Sequence, residues 1–96
     1  MCGIIGINSN KPVSASIINS LKKLEYRGYD SAGIATLSEG FIDEIKSEGR
    51  VDNLESNSLV KSMEGTIGIG HVRWATHGSP NSINAHPHSS QNVSVV

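Results

Sequence analysis

The sequence predicts an α+β domain, and three observations carry that prediction. Short apolar runs of strand length recur at residues 4–8, 34–38, 41–46 and 66–74. Ile17, Ile18, Leu21 and Leu24 fall at i, i+1, i+4 and i+7, which is one face of a helix. Glu39-Gly40 separates two of the strand-like runs, so those two read as a β-hairpin. At 96 residues the chain is the size of one small domain and can bury a core of its own.

Each element has a local reason. The first strand, residues 4–8, is followed by the turn cluster Asn8-Ser9-Asn10-Lys11-Pro12. Ser14 stands where a helix N-cap is expected, with Lys22, Lys23 and Glu25 off the apolar stripe and therefore solvated. Ser47-Glu48-Gly49-Arg50 breaks the hairpin. Residues 52–64 read as one helix with Leu54, Leu59, Val60 and Met63 on its apolar side, although Asn53, Ser56, Asn57 and Ser58 are poor helix formers. Gly65 ends it. In the run at 66–74, Ile67, Ile69 and Val72 are the candidate core positions. Residues 75–91 form a long loop of the kind that serves as a binding loop or lid, and residues 92–96 read as a last strand. No turn or polar tail follows that strand, so the sequence reads as part of a longer domain with apolar faces and edges left open to aggregation.

Composition narrows the function classes. A net charge of −1 with scattered basic residues gives no reason to expect nucleic acid or an anionic membrane as partner. No apolar run approaches the ~20 residues of a membrane span, and no secretory signal is visible. The single cysteine fits a reducing cytoplasm.

That cysteine is also the second residue. Removal of Met1 would place a thiol beside a free α-amino group, and an amine with a pKa of ~7.7–8.0 can serve as base to a thiolate nucleophile. A small buried hydrophobe is the plainer alternative. In Tyr26-Arg27-Gly28-Tyr29-Asp30-Ser31-Ala32-Gly33, Arg27 either pairs with Asp30 or aims its fork at another carboxylate or a backbone carbonyl. Arg73-Trp74-Ala75-Thr76-His77-Gly78 offers a carboxylate-binding arginine, an aromatic wall and two polar side chains after a strand end; a solvated arginine and a packed tryptophan would account for it as well. His71, His77, His86 and His88 invite a metal reading. The loop carries no Asp or Glu, so hydrogen bonds that order the loop are the better expectation.

Taken together these motifs resemble one family. Met1-Cys2-Gly3-Ile4 is similar to the start of the class II glutamine amidotransferases. Leu24 to Gly33, Arg73-Trp74-Ala75-Thr76-His77-Gly78 and Asn84-Ala85-His86-Pro87-His88 resemble their glucosamine-6-phosphate synthase branch. Amidophosphoribosyltransferases would carry glutamine in place of Tyr29, and asparagine synthetases an Arg-Gly-Pro-Asp loop. The resemblance covers the whole chain. It implies an N-terminal-nucleophile hydrolase fold, an αββα sandwich, incomplete here, with residues 2–96 a partial glutaminase domain. It implies L-glutamine as nitrogen donor, fructose 6-phosphate as acceptor in the full enzyme, no cofactor and no metal. Cys2 matches the nucleophile, with its α-amino group as base. Arg27 matches an orienting residue, Arg73 the holder of the glutamine α-carboxylate, and Trp74, Thr76 and His77 the loop that closes over glutamine.

The family's His-Asn-Gly oxyanion hole, its later aspartate for the glutamine α-amino group, and the sugar-isomerase domains that form the homodimer would lie beyond Val96. The expectation is therefore little activity for these 96 residues alone. Another class II amidotransferase and a non-catalytic glutamine-binding module are the competing readings.

Overall fold

The computed structural model describes residues 1–96. A four-stranded antiparallel sheet is the frame. Its strands are β1 (Gly3–Asn8), β2 (Ser31–Ser38), β3 (Phe41–Glu48) and β4 (Ile67–Arg73), in the order β1-β4-β2-β3. β2 and β3 form the expected hairpin, and Glu39 and Gly40 both take positive φ, 51° and 81°, at its turn. That geometry matches the twist of the flanking strands. Nothing would lie within 4 Å of a Cβ placed on Gly40.

Helix α1 (Ser14–Leu24) lies across one face of the sheet. Ile17 and Leu21 are fully buried and Ile18 nearly so, while Leu24 packs at the margin of the core. Alternation along the strands sends Ile5, Ile7, Ala32, Ile34, Ile45 and Val72 toward this side. The helix sits low on the sheet because β4 presents Gly68 and Gly70 beneath it. A Cβ on either would come within 2.6 Å of Ile17.

The helix start differs from expectation. Val13, not Ser14, is the N-cap, and no side chain caps the end. Pro12 fixes the approach, the Val13 N–H donates to the Gly65 carbonyl at 3.0 Å, and the Val13 side chain is buried. Tertiary anchoring thus takes the place of a capping hydroxyl, and Ser14 is drawn into the helix and largely buried.

The expected helix over 52–64 is two short ones, α2 (Val51–Glu55) and α3 (Ser58–Lys61). Asn57 divides them: its extended backbone interrupts the first, and its side-chain oxygen accepts from the Leu59 N–H at 3.0 Å to start the second. Leu59 consequently turns outward, 62% exposed, while Val51, Leu54, Val60 and Met63 complete the core. Helix α3 ends at Lys61, so Gly65 is not its stop. Glu25 is not a solvated charge either. It accepts from the Val51 N–H at 2.8 Å and from Arg50 at 3.4 Å, which ties the end of α1 to the start of α2.

The second face of the sheet is covered only in part. Ile67 and Ile69 point here, opposite to Val72, so of the three candidate core positions only Val72 joins the core under α1. Ile4 and Ile67 remain exposed, and the segment 92–94 forms one wall of an apolar cleft of about 330 Å³ over Leu37, Ile42, Ile67 and Ile69. In place of a strand over 92–96 there is a two-residue ribbon, β5 (His88–Ser89) with β6 (Ser94–Val95). The turn held by Ser90 N–H to the Val93 carbonyl uses the residues that would have lengthened it.

Ile17→Ala is expected to lower unfolding free energy by ~2–5 kcal/mol, because a fully buried branched side chain leaves a cavity. Leu59→Ala should cost under ~0.5 kcal/mol at its exposed position. Urea denaturation midpoints of the two variants check both.

Candidate active site around Cys2

Pairing of β1 with β4 decides where the only cysteine goes. Gly3 opposes Val72, so Cys2 arrives beside the end of β4 and the turn that follows it. There its half-buried sulfur meets the Trp74 backbone. The Trp74 N–H donates to Sγ at 3.4 Å, and the thiol points to the Trp74 carbonyl at 3.9 Å.

Arg27 completes the anchoring. It closes a short 3₁₀ turn, Glu25–Arg27, that extends α1. Its Nε donates to the Cys2 carbonyl at 2.9 Å, and one Nη reaches the Met1 sulfur at 3.2 Å. Of the sequence alternatives, the backbone carbonyl is the one realised, and no Arg27–Asp30 pair forms. An open cleft of about 350 Å³ lies here, lined by Cys2, Gly3, Ile4, Leu24 and Arg27. That is the low end of the ~300–1,000 Å³ range of small-molecule sites.

Arg73 is the last residue of β4 and is nearly buried, 7% exposed. Its guanidinium folds the next loop back on the sheet. Nη1 donates to the Ser79 carbonyl at 2.9 Å and Nη2 to the His77 carbonyl. Asn84 joins the same knot through its side-chain amide, which donates to the Ser79 carbonyl at 3.0 Å. Two of the five guanidinium N–H groups are thereby engaged. Trp74, Thr76 and His77 sit on the exposed outer side of this loop. The Trp74 ring meets Tyr29 edge-on at 6.0 Å, and Arg50 lies 5.6 Å over the Tyr29 ring.

The histidines separate into two groups. His77 belongs to the exposed loop, whereas His86 stacks on His71 with ring centroids 4.4 Å apart and meets the His88 ring at a tilt, 4.5 Å away. No cluster of three or more His, Cys, Asp or Glu has the arrangement to hold a metal ion. The expected ordering of the loop by hydrogen bonds comes from Arg73 and Asn84 and not from the imidazoles, since Nδ1 of both His71 and His86 is buried without a partner. Stacking of His86 on His71 holds the other end of the loop. It is helped by Gly33, where any Cβ would collide with the His86 carbonyl. Burial, then the neighbouring His86, Arg73 and His88, hold the His71 imidazole down at about 4; burial and the adjacent cations also lower His86.

The sign of the pH effect follows. Between about 4 and the ordinary 6.5 the unfolded chain binds a proton that folded His71 refuses. Stability is fully present above 6.5 and declines as pH falls toward 4. His71→Gln is expected to shrink that decline, measured by urea midpoints between pH 7 and pH 4.

Comparison with known proteins places this geometry. No model of a protein family matches the chain. The chain is 54% identical over all 96 residues to the glutamine–fructose-6-phosphate aminotransferase (isomerizing) of Rhizobium meliloti (strain 1021), of which it covers 16%. It is 53% identical to the protein of the same name from Agrobacterium fabrum, and 54% identical to that from Brucella abortus biovar 1, again over its whole length and 16% of theirs. The match is to the N-terminal part of these relatives. Among solved structures, the glutamine phosphoribosylpyrophosphate amidotransferase of B. subtilis, complexed with ADP and GMP, superposes with a TM-score of 0.78 at 26% identity. The match covers 96% of this chain and 20% of that one. The α+β fold is thus that of the N-terminal-nucleophile glutamine amidotransferases. No helix is long and apolar enough to cross a membrane.

Proposed function

We propose that residues 2–96 are the nucleophile-bearing part of a glutaminase domain, in a protein that uses glutamine nitrogen to convert fructose 6-phosphate to glucosamine 6-phosphate. One observation carries the reading. Cys2 is held at the head of β1, its sulfur by the Trp74 N–H and its backbone carbonyl by Arg27, against the loop that Arg73 braces. The 54% identity to glutamine–fructose-6-phosphate aminotransferases supports the amino-sugar acceptor over phosphoribosylpyrophosphate, whose amidotransferase is 26% identical. The chain spans about 16% of the length of those aminotransferases. Acceptor chemistry, dimerisation and a cytoplasmic location therefore belong to the proposal and to the intact protein.

The chemistry is acyl transfer. With Met1 removed, the α-amino group of Cys2 takes the thiol proton, and the thiolate attacks the side-chain amide carbon of glutamine. The protonated amine returns its proton to the leaving nitrogen, ammonia departs, and a γ-glutamyl thioester remains. Water adds to the thioester and releases glutamate and the thiol. Arg73 presents its remaining N–H groups to the glutamine α-carboxylate as a two-pronged clamp. Trp74, Thr76 and His77 close over the substrate and keep ammonia from solvent. Arg27 acts through the Cys2 carbonyl and fixes the backbone of the nucleophile.

Cys2→Ala in the intact protein is expected to lower glutamine hydrolysis by ~10³-fold or more with little change in melting temperature. Undiminished release of glutamate by that variant would sink the reading. Arg73→Lys keeps the charge and loses the fork. Its KM for glutamine should rise ~10–100-fold, the equivalent of one charge-assisted hydrogen bond, with a smaller change in kcat. Initial rates against glutamine concentration check it.

A further inference from the structure

Asp30 has no part in the chemistry above, yet it holds the peptide that touches the nucleophile. The half-buried residue sits just before β2, where Gly28 lets the chain run against the end of β4. A Cβ at Gly28 would lie 2.5 Å from the Arg73 carbonyl carbon and 2.7 Å from the Trp74 nitrogen, so the two backbones are in direct contact. From that position Asp30 makes two hydrogen bonds that straddle one residue. Its own N–H donates to the Arg73 carbonyl at 3.1 Å, and its Oδ2 accepts from the Ala75 N–H at 2.7 Å. The residue between them is Trp74, whose N–H meets the Cys2 sulfur at 3.4 Å. Its own carbonyl accepts from the Gly49 N–H at 2.8 Å, which fixes Asp30 to the end of β3.

We infer that Asp30 is a positioning residue for Cys2, clamping the Arg73–Ala75 backbone on both sides so that the Trp74 N–H stays aimed at the sulfur. The inference rests on Cys2 being the nucleophile. The chain leaving β4 is otherwise a loop whose side chains at 74, 76 and 77 are exposed. Without the carboxylate the Ala75 N–H is unpaired, and the peptide before it is free to rotate away from the sulfur. What matters is where the acceptor oxygen stands, not its charge. An asparagine at position 30 can present a side-chain oxygen at the same place, whereas a glutamate carries the charge one methylene further out.

The test compares Asp30→Asn with Asp30→Glu in the intact protein. Two readouts are used: the iodoacetamide alkylation rate of the Cys2-containing peptide, followed by mass spectrometry at fixed pH, and the split between kcat and KM for glutamine. Expected for Asp30→Asn are an alkylation rate and a kcat within ~3-fold of the parent. Expected for Asp30→Glu are both at least ~10-fold lower with KM within ~3-fold, while the melting temperatures of the two variants agree. A fall in Asp30→Asn as large as in Asp30→Glu overturns the positioning role, as does parental behaviour in both. Alkylation reads the clamp directly even in a protein that hydrolyses no glutamine. Failure of the glutaminase reading, judged on Cys2→Ala, is therefore distinct from failure of this one.

Discussion

Everything at the site depends on the register of β1 on β4. Six residue pairs, from Gly3 opposite Val72 to Asn8 opposite Ile67, fix that register. The backbone ladder alone does not choose it, since a slip by one residue would pair just as many amides. The choice comes from the two faces. Ile5 and Ile7 must reach the side covered by α1, and a slip would turn them outward while bringing Ile4 and Gly6 inward. Full burial of a branched aliphatic side chain is worth ~1.5–3 kcal/mol, and Ile5 and Ile7, partly buried, each gain a share of it that a slipped register would forfeit. Core packing on one face therefore fixes the cysteine on the sheet's end. No covalent or metal link is involved.

The same logic explains what the sequence made legible. Elements whose apolar pattern is long enough to count, α1 and the strands of the sheet, were readable from their periods. So was the hairpin turn, because Glu39-Gly40 lies between matched runs. Less readable were features decided by partners distant in sequence. Val13 caps α1 because Gly65 lies beside it. Glu25 is fixed by Val51, and Asp30 by Ala75. The division of the second helix at Asn57 had a local signal in its Asn and Ser content, but the period of Leu54, Leu59 and Val60 masked it. Cys2 and Arg73 stood out in the sequence because nucleophilic or charged side chains sit at strand ends, and Arg27 because it lies among aromatics, glycines and both charge signs. Their mutual placement was a matter of register and could not be read from spacing.

The loop after β4 shows how a polar segment is held without a core of its own. Arg73 gathers it from within, through carbonyls at 77 and 79, while His71 and His86 pin its far end by stacking. The two devices differ in character. Guanidinium bonds to two carbonyls tie the near side directly to the end of β4. Imidazole stacking on a buried, neutral partner is conditional. The near side of the loop, with Trp74, Thr76 and His77, has the guanidinium anchor, and the far side has the conditional one.

The hairpin turn at Glu39-Gly40 lies at the other end of this scheme. Nothing approaches Gly40, and β3 is the edge strand furthest in sheet order from β1. Chain added between β2 and β3 meets no neighbour and leaves the β1–β4 pairing alone, at a loop-closure cost of only ~0.6 kcal/mol per doubling of length. Length variation between homologues, or a fluorescent or affinity tag, has its natural place there. The six residues of β1 at the other edge admit none without shifting the register.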